Sequence, residues 1–98
     1  MQSNSVKFIA TSTTFLNRLQ KVEWKGRHEL SIEVRNKEVI FIDTDITLYA
    51  NAITGEGVFT FDIKTIHRLI NCLKVLSEQP LTFNFQDHTI LTIEQIMF

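Results

Sequence analysis

Gly57-Val58-Phe59-Thr60-Phe61-Asp62-Ile63-Lys64-Thr65-Ile66-His67-Arg68-Leu69-Ile70-Asn71-Cys72-Leu73-Lys74-Val75-Leu76 changes its hydrophobic period part-way, and the remaining chain is organised around that change. Val58–Phe61 reads as a strand running straight into a helix. Asp62 stands at the junction, where a short carboxylate accepts from the helix's orphan N–H groups and complements its dipole. Beyond it Ile63, Ile66, Leu69, Ile70, Leu73 and Leu76 recur at helical spacing, one stripe turned to a core. At roughly 100° per residue, Lys64, His67, Arg68, Asn71 and Lys74 fall on the opposite face, with Val75 and Glu78 among them. That face is polar and cationic.

Upstream the same grammar occurs once more. Val6–Ala10 is a short strand, and Thr11, Ser12 and Thr13 offer a hydroxyl cap to a helix over Thr13–Glu23. Its apolar stripe is Phe15, Leu19 and Val22, flanked by Leu16, while Asn17, Arg18, Gln20 and Lys21 look outward. Trp24–His28 is a connecting loop. Leu30–Arg35 alternates cleanly, one side buried and the other wet. Asn36-Lys37 is a tight turn, Val39–Ile42 a continuous apolar strand, and Asp43-Thr44-Asp45 a second turn, stabilised by Asx-type bonds, into Ile46–Ile53. Thr54-Gly55-Glu56-Gly57 reads as a hairpin loop. Downstream, Pro80 stops the second helix, Leu81, Phe83 and Phe85 alternate with Thr82, Asn84 and Gln86, and a turn at Gln86–His88 leads to a last strand from Thr89 to about Glu94.

The order is strand-helix-strand-strand-strand followed by strand-helix-strand-strand, one unit used twice with the second cut short. A shift of 54 positions lays Phe15, Leu16, Leu19 and Val22 on Leu69, Ile70, Leu73 and Leu76, and Asn17 on Asn71. The expected class is α+β, with two helices side by side on one face of an antiparallel sheet.

Composition agrees with one domain. In 98 residues, 44% hydrophobic and 21% charged, there is enough apolar material for a core without metal or disulfide. The lone Cys72 has no partner for a bridge and reads as core filler, which points to a reducing compartment. No apolar run approaches the roughly 18 residues of a membrane span, and Met1–Ser5 lacks the pattern of a signal peptide, so a cytoplasmic location is expected. Net charge is −1 but unevenly placed. Ser12–Val22 and Ile63–Ser77 hold five of the ten basic residues (Arg18, Lys21, Lys64, Arg68, Lys74) and none of the eleven acidic ones. Basic helices on an acidic body can orient a polyanion.

Catalytic chemistry finds no residue set. There is no Ser/His/Asp pattern, glycine-rich phosphate loop or paired-carboxylate arrangement, so the chain reads as a non-enzyme with no cofactor. His28, His67, His88 and Cys72 lack ligand spacing, and Asp43 with Asp45 reads as a turn before a metal site. Phe59, Phe61, Phe83 and Phe85 alternate with Thr and Asn, as sheet residues facing a core do. Trp24 is left as either a capping contact or an interface anchor.

Taken with their order and spacing, Val6-Lys7-Phe8, the helix with Phe15-Leu16 ending at Val22, Val39–Ile46 with its Thr-Asp turn, Val58–Leu76 and the strand pair Leu81–Ile93 resemble one domain of a sliding clamp. That family is the ring-shaped processivity factor of DNA replication, and the likeness is greatest to the bacterial clamp. It covers nearly the whole sequence and rests on fold-level features rather than a catalytic fingerprint. The resemblance implies a clamp-like α+β fold whose two helices line a ring and hold duplex DNA by charge, without reading bases. The residues it assigns to DNA are Arg18, Lys21, Lys64, Arg68, Asn71 and Lys74.

Clamp rings contain six such domains, so the resemblance also implies a homo-oligomer joined by edge strands, or partner chains. The chain departs from the pattern in lacking a final strand after Ile93. Gln95-Ile96-Met97-Phe98 is similar to the glutamine-plus-hydrophobe tails that replication and repair proteins insert into clamps, one residue short of their spacing. Ile96, Met97 and Phe98 therefore belong to an alternative: a protein-interaction module that docks a partner through this tail or an exposed sheet edge, with no DNA binding.

Overall fold

The computed structural model describes residues 5–86, 90–93 and 96–97. Their order is β1 (Ser5–Thr11), α1 (Ser12–Gln20), β2 (Glu29–Arg35), β3 (Glu38–Phe41), β4 (Thr47–Tyr49), β5 (Asn51–Thr54), β6 (Gly57–Asp62), α2 (Ile63–Val75), β7 (Pro80–Gln86), β8 (Ile90–Ile93) and β9 (Ile96–Met97). The α+β class holds, but the strands make two antiparallel sheets where one was expected. One runs β5-β1-β7-β8-β9 and the other β4-β3-β2-β6. Alternation in β2 and β7 shows which residues face inward and carries no information about which strand pairs with which.

Pairing across the chain sets the architecture. β1 pairs with β7 from Ser5↔Gln86 to Thr11↔Pro80, and β6 pairs with β2 from Gly57↔Val34 to Asp62↔Glu29. Each sheet thus borrows a strand from the other half, and a displacement of 51 positions relates the two: Thr11 falls on Asp62 and Glu29–Arg35 on Pro80–Gln86. The 54-position match of apolar residues is three residues, nearly one helical turn, out of phase with this. Helical stripes repeat almost every turn, so side-chain similarity alone cannot fix the phase.

The caps do fix it. Thr11 is the cap residue of α1, its Oγ1 accepting from the Thr14 N–H at 3.2 Å, and Asp62 does the same for α2, its Oδ1 accepting from the Thr65 N–H at 2.8 Å. Ser12, offered by the sequence as a cap, is fully buried instead. Its hydroxyl donates to the Ser77 carbonyl at 2.9 Å and accepts from the Gln79 N–H at 3.3 Å. That bond pair fastens the start of α1 to the exit of α2.

Further departures concern connections. The expected Ile46–Ile53 strand breaks at Ala50, whose N–H donates to the Lys37 carbonyl (3.2 Å), so β4 stays at the edge of one sheet and β5 joins the other. Thr54–Gly57 is consequently a crossover between sheets and not a hairpin, since β5 pairs with β1 and β6 with β2. Gly55 has φ +83°, and a Cβ there would collide with the Ser5 carbonyl oxygen. The Asp43–Asp45 turn is held by Thr44, which donates to the Phe41 carbonyl (2.6 Å) and accepts from the Ile46 N–H (3.0 Å), in place of Asx bonds. Asn36-Lys37 is the tight turn expected, with both residues at positive φ as a two-residue hairpin requires. A final strand does follow Ile93: the two-residue β9 pairs with β8. The turn predicted at Gln86–His88 extends, beyond Gln86, outside the described residues.

One core joins both sheets and both helices. Phe8 stacks on Phe83 with centroids 5.2 Å apart, and Phe15 of α1 lies 4.5 Å from Phe83 and 5.9 Å from Phe41 of the other sheet. Phe85 meets the edges of Phe59 (5.6 Å) and Phe61 (5.0 Å) across the sheets. The aromatics expected to be core are core, and such pairs add about 0.5–1.5 kcal/mol each beyond area burial.

Candidate nucleic-acid interface

The helices run antiparallel. The Ser12 N–H, opening α1, donates to the Gln79 carbonyl beyond α2, and the Ile63 N–H, opening α2, donates to the His28 carbonyl beyond α1, both at 3.0 Å. Phe15, Leu19 and Val22 and, on α2, Ile66, Leu69 and Leu73 are buried, which leaves the opposite side of each helix facing solvent.

On α2, Lys64, His67, Arg68, Asn71 and Lys74 are all exposed, as the sequence predicts. Ile63–Val75 contains no acidic residue. Among the described residues Lys64, Arg68 and Lys74 enter no ion pair. The nearest carboxylate in sequence is the Asp62 cap, held below the usual carboxylate range. Its main cause is the Thr65 backbone N–H, followed by the Thr65 hydroxyl, with Lys64 and Arg68 adding attraction.

On α1 the cations are placed differently. Arg18 is half-buried and its Nε donates to the Thr47 carbonyl of β4 at 3.3 Å, so part of its donor set is committed to the fold. Lys21, just past the helix end, is exposed in a hollow of about 310 Å³ that also holds Glu23, Arg27, Asp43 and Asp45. Unlike the α2 cations it shares its surroundings with three carboxylates and a second cation, and among the described residues it too enters no ion pair. Helical geometry turns Arg18 and Lys21 to the β4 flank, and Gln20 to the α2 side. The six residues assigned to DNA thus divide into four on the outer face of α2 and two on the far flank of α1.

Between the helices lies a groove of about 490 Å³ lined by Gln20, Trp24, His67, Ile70, Asn71 and Lys74. Trp24 is half-buried, its Nε1–H donating to the Leu19 carbonyl at 3.0 Å, so the indole closes the end of α1 as a capping contact while also walling the groove. Sequence reasoning left Gln20, Trp24, His67 and Ile70 out of the candidate site. The signals for them in the sequence are the helical phase of Gln20 and His67 and the reading of Trp24 as an interface anchor.

Ile96 and Met97, assigned by sequence to partner capture, form β9 against β8, while Phe98 lies outside the described residues. Among the described residues no group of three His, Cys, Asp or Glu side chains could hold a metal ion, and no helix is long and apolar enough to cross a membrane. Comparison with protein-family models, curated proteins and solved structures finds no match.

Proposed function

We propose that this chain is a non-enzymatic, sliding-clamp-like domain that contacts duplex DNA through α2 without reading its sequence, and self-associates through sheet edges. One observation carries the DNA reading: Lys64, Arg68 and Lys74 stand exposed and, among the described residues, without ion pairs, on a helix whose Ile63–Val75 holds no acid beyond its Asp62 cap. Unpaired surface cations with no acid between them are what a phosphate backbone selects. Lys64 and Arg68 are the principal contacts, Lys74 and Asn71 the secondary ones, and Arg18 and Lys21 contribute least. Antiparallel helices over two sheets, built from halves in matching register, support the clamp-like fold. So few cations bind weakly in a monomer, and an assembly that repeats them around one duplex multiplies the effect.

Fluorescence anisotropy of a labelled duplex tests the reading, with light scattering to size the complex. Affinity should fall steeply as salt rises from about 50 to 200 mM, and the double substitution Lys64→Glu/Arg68→Glu should flatten that slope by about 2. An unchanged slope would remove DNA from the account, and a strict monomer at high concentration would remove the assembly.

A second reading, a module that docks a replication or repair protein at a sheet edge, is favoured by Tyr49. It lies on edge strand β4 and is 76% exposed. On that reading DNA binding is absent even at low salt.

A further inference from the structure

The groove between the helices differs in chemistry from the cationic face beside it. Trp24 and Ile70, both half-buried, give it apolar walls. Because the indole N–H is engaged by the Leu19 carbonyl, Trp24 offers the groove carbon surface rather than a donor. The amides of Gln20 and Asn71 supply donors and acceptors. The two ionisable residues lining it, His67 and Lys74, are basic, and no carboxylate is among the lining residues.

An occupant that matches is flat and apolar in its body, carries hydrogen-bonding edges and bears negative charge close by. We propose that this groove takes one unpaired nucleotide of a single-stranded nucleic acid. Its base lies against Trp24 and Ile70, Gln20 and Asn71 meet the base edge, and Lys74 and His67 face the phosphate. Stacking on an aromatic side chain next to a basic track is how single strands are held without sequence preference. At about 490 Å³ the groove falls within the roughly 300–1,000 Å³ of small-ligand sites. A duplex, with its bases stacked inside, has nothing to place there. The inference goes beyond the duplex reading, sharing with it only Asn71 and Lys74.

Trp24 is the one tryptophan of the chain, so its emission reports on the groove directly. The full chain is titrated with an oligothymidylate of about ten nucleotides, within the usual site sizes for such proteins. Parallel arms use the matching oligouridylate, an abasic strand of equal length, a duplex, and an acidic tyrosine-containing peptide. Either pyrimidine strand should quench Trp24, the tighter one naming DNA or RNA as the source, while the abasic strand and the duplex leave it unchanged. Asn71→Ala/Lys74→Ala, at exposed positions, should weaken the strand about tenfold, whereas Lys7→Ala, at an exposed position of β1 away from the groove, stays within about twofold. Equal quenching by the abasic strand, the duplex or the peptide would overturn the proposal, as would unaltered affinity in the double variant. Duplex binding by anisotropy without single-strand quenching sinks this inference alone, and quenching without duplex binding sinks the duplex reading alone.

Discussion

The two halves of the molecule share a frame and differ in what they do with it. β1–α1–β2 and β6–α2–β7 use equivalent cap positions, second strands of equal length and equivalent bonds from helix start to opposite helix exit. Yet α1 is 9 residues long, with Arg18 bonded to β4 and Trp24 closing its end, whereas α2 is 13 residues long, with its cations in no ion pair among the described residues. On α1 the arginine is tied into the body, and on α2 the cations are left available. Repetition of a fold therefore does not repeat a surface: the frame comes from buried residues and caps, and the surface is free to diverge.

The largest expected effect tests the shared frame. Phe83 in β7 occupies the position of Ile32 in β2 and stacks on both Phe8 and Phe15. Phe83→Ala should cost about 3–5 kcal/mol in denaturant unfolding, against about 0.5–1.5 kcal/mol for Ile32→Val. A Phe83→Ala loss near the lower figure would mean that the ring cluster is not what joins the halves.

Next comes the contrast between helices. Lys64→Glu/Arg68→Glu should weaken duplex binding by at least about tenfold, or about 1.4 kcal/mol, whereas Arg18→Glu/Lys21→Glu should have a clearly smaller effect on anisotropy. Equal losses would place the interface on both helices alike. The caps give a finer comparison. Thr11→Ala should cost about 1 kcal/mol, independent of pH, seen as a drop in Tm of roughly 4–8 °C.

Asp62 behaves differently because its folded-state pKa is depressed. Its contribution is present above the unfolded carboxylate value near 3.9 and is lost as pH falls through the lower folded value. The Tm gap between the parent and Asp62→Asn should therefore close on acidification below about pH 4. A gap that persists at low pH would show that the charge is immaterial to the cap.

Much of this frame was legible in the sequence. The α2 stripe, the Asp62 cap, the core aromatics and the Asn36-Lys37 turn all depend on local period or local backbone preference, which single residues report. Two sheets in place of one, the crossover at Gly55 and the true phase of the repeat depend on pairing between distant strands, and no local pattern carries that. The site divided in the same way. Exposure of Lys64, Arg68, Asn71 and Lys74 follows from helical phase, but the capture of Arg18 by the Thr47 carbonyl requires β4 to pass beside α1. The groove depended on the antiparallel approach of two helices, which brought Trp24 opposite Ile70.

The most direct test of the central claim is a duplex titration followed by backbone amide chemical shifts of the full chain. If α2 is the contact, the perturbed amides should cluster at Lys64, Arg68, Asn71 and Lys74, with little change along β4 or at Lys21. Perturbations spread over the sheet edges, with α2 silent at saturating duplex, would contradict the account.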